Sequence, residues 1–396
     1  MLDLKKGCKM NSITQMSELL KGLPRGWFDR TVEREQADKH NKGLSTWKRL
    51  IVMCYSQLSG MDSLRQIEQG FNAQRNHHYH LNVGQIKRSA LSNANRSGKG
   101  LAVFEAAVQY LMSQVSRSIK RELKEVLYLL DSSPIQLTGR GLCEWTQDTK
   151  TSRLQGQKLH AMLDAQTGGL VWYDITAANI NDVSMVNEIK LQANARYVFD
   201  KGYCDYAWWH RIHQAGSFYV TRLKKNAALT LEQARMPVGE GVISDEWVRF
   251  THRNNGGGRA PNPYVDVLRR ITIERDNKTP LVLVTNDLTS SALTISAQYR
   301  ARWGIELLFK WVKQHLNIKK FLGTNEYAMR VQILTALITH LLVILYHNRM
   351  GFKGSLFDCL THIKATLFQR CAVQTELLQR RRLRMAAYAK MQPSLL

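Results

Sequence analysis

Hydrophobic and polar positions divide this chain into regions of different pattern. From residue 11 to about 120 the apolar residues recur at helical spacing. The stretch "LSTWKRLIVMCYSQLSG" opens at Ser45 as N-cap, carries Leu50, Ile51, Cys54 and Leu58 at helical intervals and closes at Gly60, which predicts a helix in a small all-α region. From 126 the pattern changes to strands alternating with helices. "VLYLLD" predicts a first strand that ends at Asp131, with Pro134 soon interrupting any central pairing. "KLHAMLDAQTGGLVWYDIT" predicts two strands around a Thr167-Gly168-Gly169 turn. "NDVSMVNEIKLQ" reads as an amphipathic helix opened by Asn181 or Asp182, and "RYVFD" as a short buried strand that stops at Asp200. "YAWWHRIHQAG" predicts a helix closed by Gly216, and "SFYVTRLK" a fifth strand. The longest apolar run, "VQILTALITHLLVILY" (331–346), contains Gln332 and His340 and has 16 residues, ~24 Å of helix against a hydrocarbon core of ~30 Å. It predicts a buried core helix rather than a membrane span.

The order β-β-β-α-β-α-β is that of an RNase H-like core, a mixed β-sheet flanked by helices whose first and fourth strands lie side by side. On that plan Asp131 and Asp200 are neighbours in space. The expected layout is an α/β protein: a helical N-terminal DNA-binding domain over 1–122, an RNase H-like catalytic domain over 123–350 with a β-rich insertion at about 226–290, and a basic helical C-terminal tail over 351–396.

"YRARWGIELLFKWVK" (299–313) reads as one continuous helix. At ~100° per residue Tyr299, Arg302, Glu306, Lys310 and Lys313 fall within roughly 80°, while Ile305, Leu308, Phe309, Val312 and Leu316 form a core-facing stripe. A solvated face with a Glu306–Lys310 ion pair is one explanation of the charges. The other comes from the aspartates. Two carboxylates ~4 Å apart repel by ~4 kcal/mol at an effective dielectric of 20, so crowded acids need a cation. Either aspartate alone suits a cap or turn. With Glu306 they make a hard-oxygen site for two Mg²⁺ ions, Mn²⁺ being able to substitute, of the kind that cuts phosphodiesters. Arg302, Lys310 and Lys313, one or two turns from Glu306, then hold phosphates of the strand being cut.

Composition narrows the partner. The 396 residues are 44% apolar and 9% aromatic, as in a globular protein, and 56 Lys+Arg against 32 Asp+Glu leave a net charge of +24. Such a charge asks for a polyanion, and nucleic acid is the leading candidate. "VGQIKRSALSNANRSGKG" (83–100) places Lys87, Arg88 and Arg96 among Asn and Ser, residue types that contact DNA; a basic solvated loop-helix is the alternative. "HHYH" (77–80) lacks a fourth ligand at zinc-like spacing and reads as surface histidines. The six cysteines form no CxxC pair, and the first residues show no signal-peptide core, which predicts a cytoplasmic protein with reduced thiols, whether translation starts at Met1 or Met10. "RRRLR" (380–384) is either a DNA-binding or protomer-pairing segment or a solvated helix end.

Tyr299, Arg302, Glu306 and Lys313 match the Y-x2-R-x3-E-x6-K signature position for position, and the chain thereby resembles the hairpin-forming, cut-and-paste DDE transposases of the insertion-sequence-four family. "LLDSSPI" and "YVFDKGY" resemble that family's two aspartate motifs, and "FYVTRLK", with Arg222 and Lys224, its basic strand. The resemblance covers about 126–346 well and the helical N-terminal region loosely. Asp200 and Glu306 are 106 positions apart in the sequence, room for the β-rich insertion that interrupts the core of that family between its second aspartate and its glutamate. The resemblance implies that Asp131, Asp200 and Glu306 bind the metals. It further implies that Tyr299, Arg302 and Lys313 hold DNA near the reactive phosphate and that Trp247, the one tryptophan of the insertion, stacks on an extruded base. Double-stranded DNA, as terminal inverted repeats and target DNA, is the implied partner, with a homodimer in the synaptic complex of a bacterial cytoplasm. Two alternatives stay open: an RNase H-like metal-dependent nuclease without strand transfer, and a non-catalytic domesticated DNA-binding protein. For Trp247 the alternative is a core residue of the insertion.

Overall fold

A computed structural model of the chain describes residues 13–41, 43–118, 126–136, 156–223, 227–251, 262–276, 278–315, 321–323 and 325–369. Described residues up to 114, together with those from 321 to 369, make one compact unit, and those from 115 to 314 make the other.

The first unit is helical: α1 (Gln15–Leu20), α2 (Arg25–Arg34), α3 (Thr46–Ser59), α4 (Leu64–Ala73), α5 (Arg88–Arg96) and most of α6 (Leu101–Ser118). The α3 ends fall where the sequence puts them. Ser45 accepts a hydrogen bond from the Lys48 amide, and Gly60 takes the left-handed conformation (φ 69°) that favours glycine there. The apolar run at 331–346 lies inside the 25-residue helix Glu326–Met350, and 94% of its most hydropathic window is buried in protein. It is a core helix, as expected. It packs on α1, α3 and α5 of the first unit rather than continuing the α/β segment to 350. A helix apolar on every side has no facing stripe in its sequence, so its partners are set by tertiary contacts. His78 also departs from expectation. It is buried (3% exposed) and stacks on Phe71 at 4.1 Å, whereas His77 and His80 are exposed.

The second unit is built on β1 (Val126–Gln136), β2 (Gly156–Asp164), β3 (Leu170–Ala177), β4 (Ala195–Phe199), α7 (Tyr206–Gln214), β5 (Phe218–Arg222), β6 (Leu229–Arg235), β7 (Val242–Phe250), β8 (Leu268–Ile273), β9 (Leu281–Thr285), α8 (Ala292–Ala301) and α9 (Trp303–His315). The remaining helices, α10 (Glu326–Met350) and α11 (Leu356–Thr366), belong to the first unit. One mixed sheet runs β3-β2-β1-β4-β5-β9-β8-β7-β6. β1 pairs with β4, and β4 with β5, in parallel. The first and fourth strands are therefore adjacent. The insertion forms no separate layer: β9 pairs antiparallel with β5, and β8, β7 and β6 extend the same sheet.

Two local expectations need correction. β1 continues through Pro134 to Gln136, because β2 pairs with it along that whole length while β4 pairs only as far as Leu130. Pro134 thus sits where β1 has become an edge, the position at which a missing N–H costs no ladder bond. The segment opened by Asn181 and Asp182 is a short 3₁₀ turn, Asp182–Asn187, not an amphipathic α-helix. Its Asn, Asp and Ser side chains offer the backbone local hydrogen bonds, such as Ser184 Oγ to the Asn181 carbonyl, that compete with an α-turn.

Pairing register fixes the two faces of the sheet. Leu129, Val198, Val220, Thr285, Arg269 and Trp247 stand opposite one another in successive strands and share one face. Tyr128, Leu130, Tyr197, Phe199, Tyr219 and Val248 point the other way, into a core with Trp208 and Trp209 of α7. On the first face, buried pairs Arg196–Asp287 and Arg269–Asp245 tie β4 and β8 to their neighbours, and Arg269 also reaches the carbonyls of Asp287 and Ser290 just before α8.

Candidate active site

At the carboxyl ends of the parallel strands the register brings three side chains together. Asp131 lies two residues beyond Leu129, Asp200 two beyond Val198, and Arg222 two beyond Val220. Alternation along extended backbone puts all three on the same face. The acids expected at strand ends are thus neighbours.

Glu306 is delivered to this place by α9. Gly304 in its first turn lies so close to β1 that a Cβ there would come within 3.2 Å of Leu129 Cδ1, so the helix approaches the strand on a residue without a side chain. Ile305, Leu308, Phe309 and Val312 are buried as the core-facing stripe. Leu316, the stripe's last expected member, lies outside the described residues. The helix is not continuous, however. α8 ends at Ala301 and α9 starts at Trp303, with Arg302 between them. The Arg302 amide bonds the Tyr299 carbonyl and the Ile305 amide bonds the Arg302 carbonyl, both at 3.1 Å, which tightens the chain by one residue relative to an α-turn. Tyr299 is consequently tucked in (8% exposed) instead of lining an open face with the lysines.

Arg302 occupies the centre. Its Nη1 lies 2.7 Å from Asp131 Oδ2, and its Nη2 bonds Glu306 Oε1. Asp200 is held separately: Arg222 Nη2 lies 3.0 Å from its Oδ1, and the Tyr299 hydroxyl donates to that oxygen at 3.3 Å. The two aspartates titrate in opposite directions. Burial pushes the Asp131 carboxyl up to about 6, the charges of Asp200 and Glu306 adding to the push against the Ser132 amide and Arg302. Burial also opposes ionisation of Asp200, but the Lys201 amide, Arg222 and Arg302 outweigh it and hold that carboxyl below its ordinary range.

Two carboxylates joined by Arg302, with a third held beside them by Arg222, are a hard-oxygen donor set of the type divalent ions take. Asp131, Asp200 and Glu306 are the residues that suit such an ion. Among the described residues no three acid, histidine or cysteine side chains stand at metal-holding distances, and arginines occupy oxygens of all three acids.

The other candidates are placed as follows. Lys310 is exposed and Lys313 half-buried, one and two turns along α9 from Glu306, and burial lowers the Lys313 ammonium. Trp247 is half-buried on the acid-bearing face, its ring covered by Arg235 at 5.4 Å and its Nε1 buried without a hydrogen-bond partner among the described residues. Lys87, Arg88 and Arg96 are exposed at the two ends of α5 in the helical unit. Lys224 and "RRRLR" lie outside the described residues.

One polar group escaped the sequence. On the opposite face of the sheet, behind Asp131, Ser132 and Lys158 both bond Asp182, and His160 lies beside them. The available signal was Lys158 and His160, two apart on one face of a strand whose remaining positions are mostly apolar.

Known proteins give this geometry a context. A family model described as a transposase DDE domain matches residues 122–342, and one described as a domain of unknown function matches 11–83. A putative transposase, y4zB, of Sinorhizobium fredii is 40% identical over 258 residues, 64% of this chain and 69% of the relative. A probable transposase for insertion sequence element IS5377 of Geobacillus stearothermophilus is 24% identical over 61% of this chain and 62% of its own length. A putative transposase for insertion sequence element IS4SA of Synechocystis is 24% identical over 71% and 78%. A solved piggyBac transposase synaptic complex with hairpin DNA superposes on 98% of this chain and 87% of that one, with 10% identity and a TM-score of 0.48, too distant a likeness to bear on function.

Proposed function

The chain belongs to the DDE transposase family, and on that footing we propose that it cuts and rejoins the ends of an insertion sequence by the hairpin route of the insertion-sequence-four group. The observation that carries the proposal is that β1 and β4, adjacent and parallel, bring Asp131 and Asp200 to one face while Arg302 joins Asp131 to Glu306. Strand order 3-2-1-4-5, with β1 beside β4, favours an RNase H-like core extended by the insertion.

Asp131, Asp200 and Glu306 hold divalent metal, Mg²⁺ or Mn²⁺, as a pair of ions. When bound, such ions activate the attacking oxygen and stabilise the leaving one. The protein's own groups bind and orient the DNA. Arg302, once released from the acids, holds phosphate by paired N–H donors, Lys310 and Lys313 supply point charges along the same helix, and Tyr299 and Arg222 fix Asp200. Water cuts the transferred strand at the element end. The freed 3′-OH attacks the opposite strand to close a hairpin, water reopens it, and the 3′-OH then attacks target DNA. Trp247 receives a base extruded at the hairpin. Lys87, Arg88 and Arg96 contact element ends, two protomers pair in the synaptic complex, and the setting is the cytoplasm.

Incubating the protein with its own element ends and Mg²⁺ tests this. Hairpins and joined products are expected. Cleavage without joining assigns a nuclease, and binding without cleavage a non-catalytic DNA-binding protein.

A further inference from the structure

We propose that Asp182 and Ser132 form a positioning relay that sets the Asp131 carboxylate from the opposite face of the sheet. The proposal rests on the metal-binding role of the three acids. Beyond Leu130, β1 has lost its β4 neighbour, so the peptide after Asp131 is held on one side only. Ser132 makes up for that loss. Its amide donates to Asp131 Oδ1 at 2.8 Å, while its hydroxyl, on the other face, donates to Asp182 Oδ1 at 2.7 Å. One residue thus joins the two carboxylates through the strand.

Asp182 is itself anchored. Lys158 Nζ donates to Asp182 Oδ1 at 3.1 Å and to the Ile180 carbonyl at 2.7 Å, which fastens the 3₁₀ turn to β2. Fully buried His160, paired in register with Ser132, places Nδ1 3.8 Å from the same oxygen, and its Nε2 meets Thr176 Oγ1 at 3.0 Å. The other oxygen of Asp182 faces the second aspartate segment. A Cβ on Gly202, two residues after Asp200, would lie 3.2 Å from Asp182 Oδ2. Only a glycine lets that segment and this carboxylate meet without displacement. Asp182 therefore stands between the backbones that carry Asp131 and Asp200. Neither Ser132 nor Asp182 touches the reacting atoms in this scheme. Both act through Asp131.

Outer partners of ligating carboxylates contribute ~10–100-fold in metal affinity. Mn²⁺ binding to the full-length protein, without DNA and read by electron paramagnetic resonance, is the test. Ser132→Ala and Asp182→Asn should each weaken Mn²⁺ binding by ~10-fold or more with little change in melting temperature, and Ser132→Thr, which keeps the hydroxyl, should restore it. Wild-type affinity in both Ser132→Ala and Asp182→Asn overturns the relay, as does failure of Ser132→Thr to bind better than Ser132→Ala. Asp131→Ala separates this from the reading beneath it. If Asp131→Ala binds Mn²⁺ as wild type does, the metal role of the acids fails. If it loses binding while the relay variants keep theirs, only the relay fails.

Discussion

Arg302 Nη1 lies 2.7 Å from Asp131 Oδ2 and the same guanidinium bonds Glu306, so one side chain neutralises two acids of the candidate site. On the proposed reading a metal ion and this arginine compete for these carboxylates. Arg302→Ala should lower the melting temperature in chelator, since each charge-assisted bond contributes ~1.5–3 kcal/mol. Added Mn²⁺ should raise it by more than in wild type. Thermal melts with and without Mn²⁺ check both; equal metal-induced shifts in the two proteins would mean that Arg302 does not oppose binding.

Asp131→Ala, Asp200→Ala and Glu306→Ala should each abolish cleavage of end DNA while leaving its binding nearly intact, because these side chains hold metal rather than DNA. Gel-shift and nicking assays on the same preparations report the two quantities. Cutting at the wild-type rate by any of the three removes that residue from the site.

Charge makes a separate prediction. The +24 balance, if it serves DNA, should make log K fall linearly with log[salt], with a slope of ~−0.9 per phosphate neutralised. Lys313→Ala should make that slope shallower by about one unit. Salt titrations of end binding decide it, and an affinity indifferent to salt would remove DNA phosphates as the destination of the charge.

Trp247 offers a kinetic test. Stacking an extruded base on an aromatic ring contributes ~1–3 kcal/mol. Trp247→Ala should melt like wild type, nick normally and stall before the hairpin, with partial rescue by an abasic site at the extruded position. If nicking and hairpin formation slow equally, or the melting temperature falls, the ring belongs to the packing under Arg235.

His340 governs an acid response in the helical unit. Burial lowers its imidazole from 6.5 to about 3, so between those values the unfolded chain takes up a proton that the folded chain refuses. Stability contributed by the neutral ring is complete above 6.5 and is lost as pH falls, at ~1.4 kcal/mol per pH unit. His340→Leu should flatten the fall of melting temperature between pH 6 and pH 4, and an unchanged slope would contradict the assignment.

What could be read in advance was local. The Ser45 cap and Gly60 terminus of α3 depend on contacts within one turn, and the apolar runs that lead into Asp131 and Asp200 mark the strands that carry them. The break at Arg302 comes beside the close approach of Gly304 to Leu129 of a distant strand, and the survival of β1 past Pro134 depends on where β4 stops. Neither is encoded in periodicity. The relay behind Asp131 was hidden for the same reason: Ser132, Lys158 and Asp182 come from three segments that only the folded sheet brings together.

Because β9 pairs directly with β5, an unbroken ladder of backbone hydrogen bonds runs from the strand before Asp200 to the strand that carries Trp247. Four inter-strand steps of ~4.8 Å separate those strands, an in-plane span of ~19 Å. The insertion then acts as a ruler. If Trp247 catches a nucleotide as proposed, that nucleotide is held a set number of rungs from the acids, so the reach between the two is measured by the strand count and not by the length of a loop.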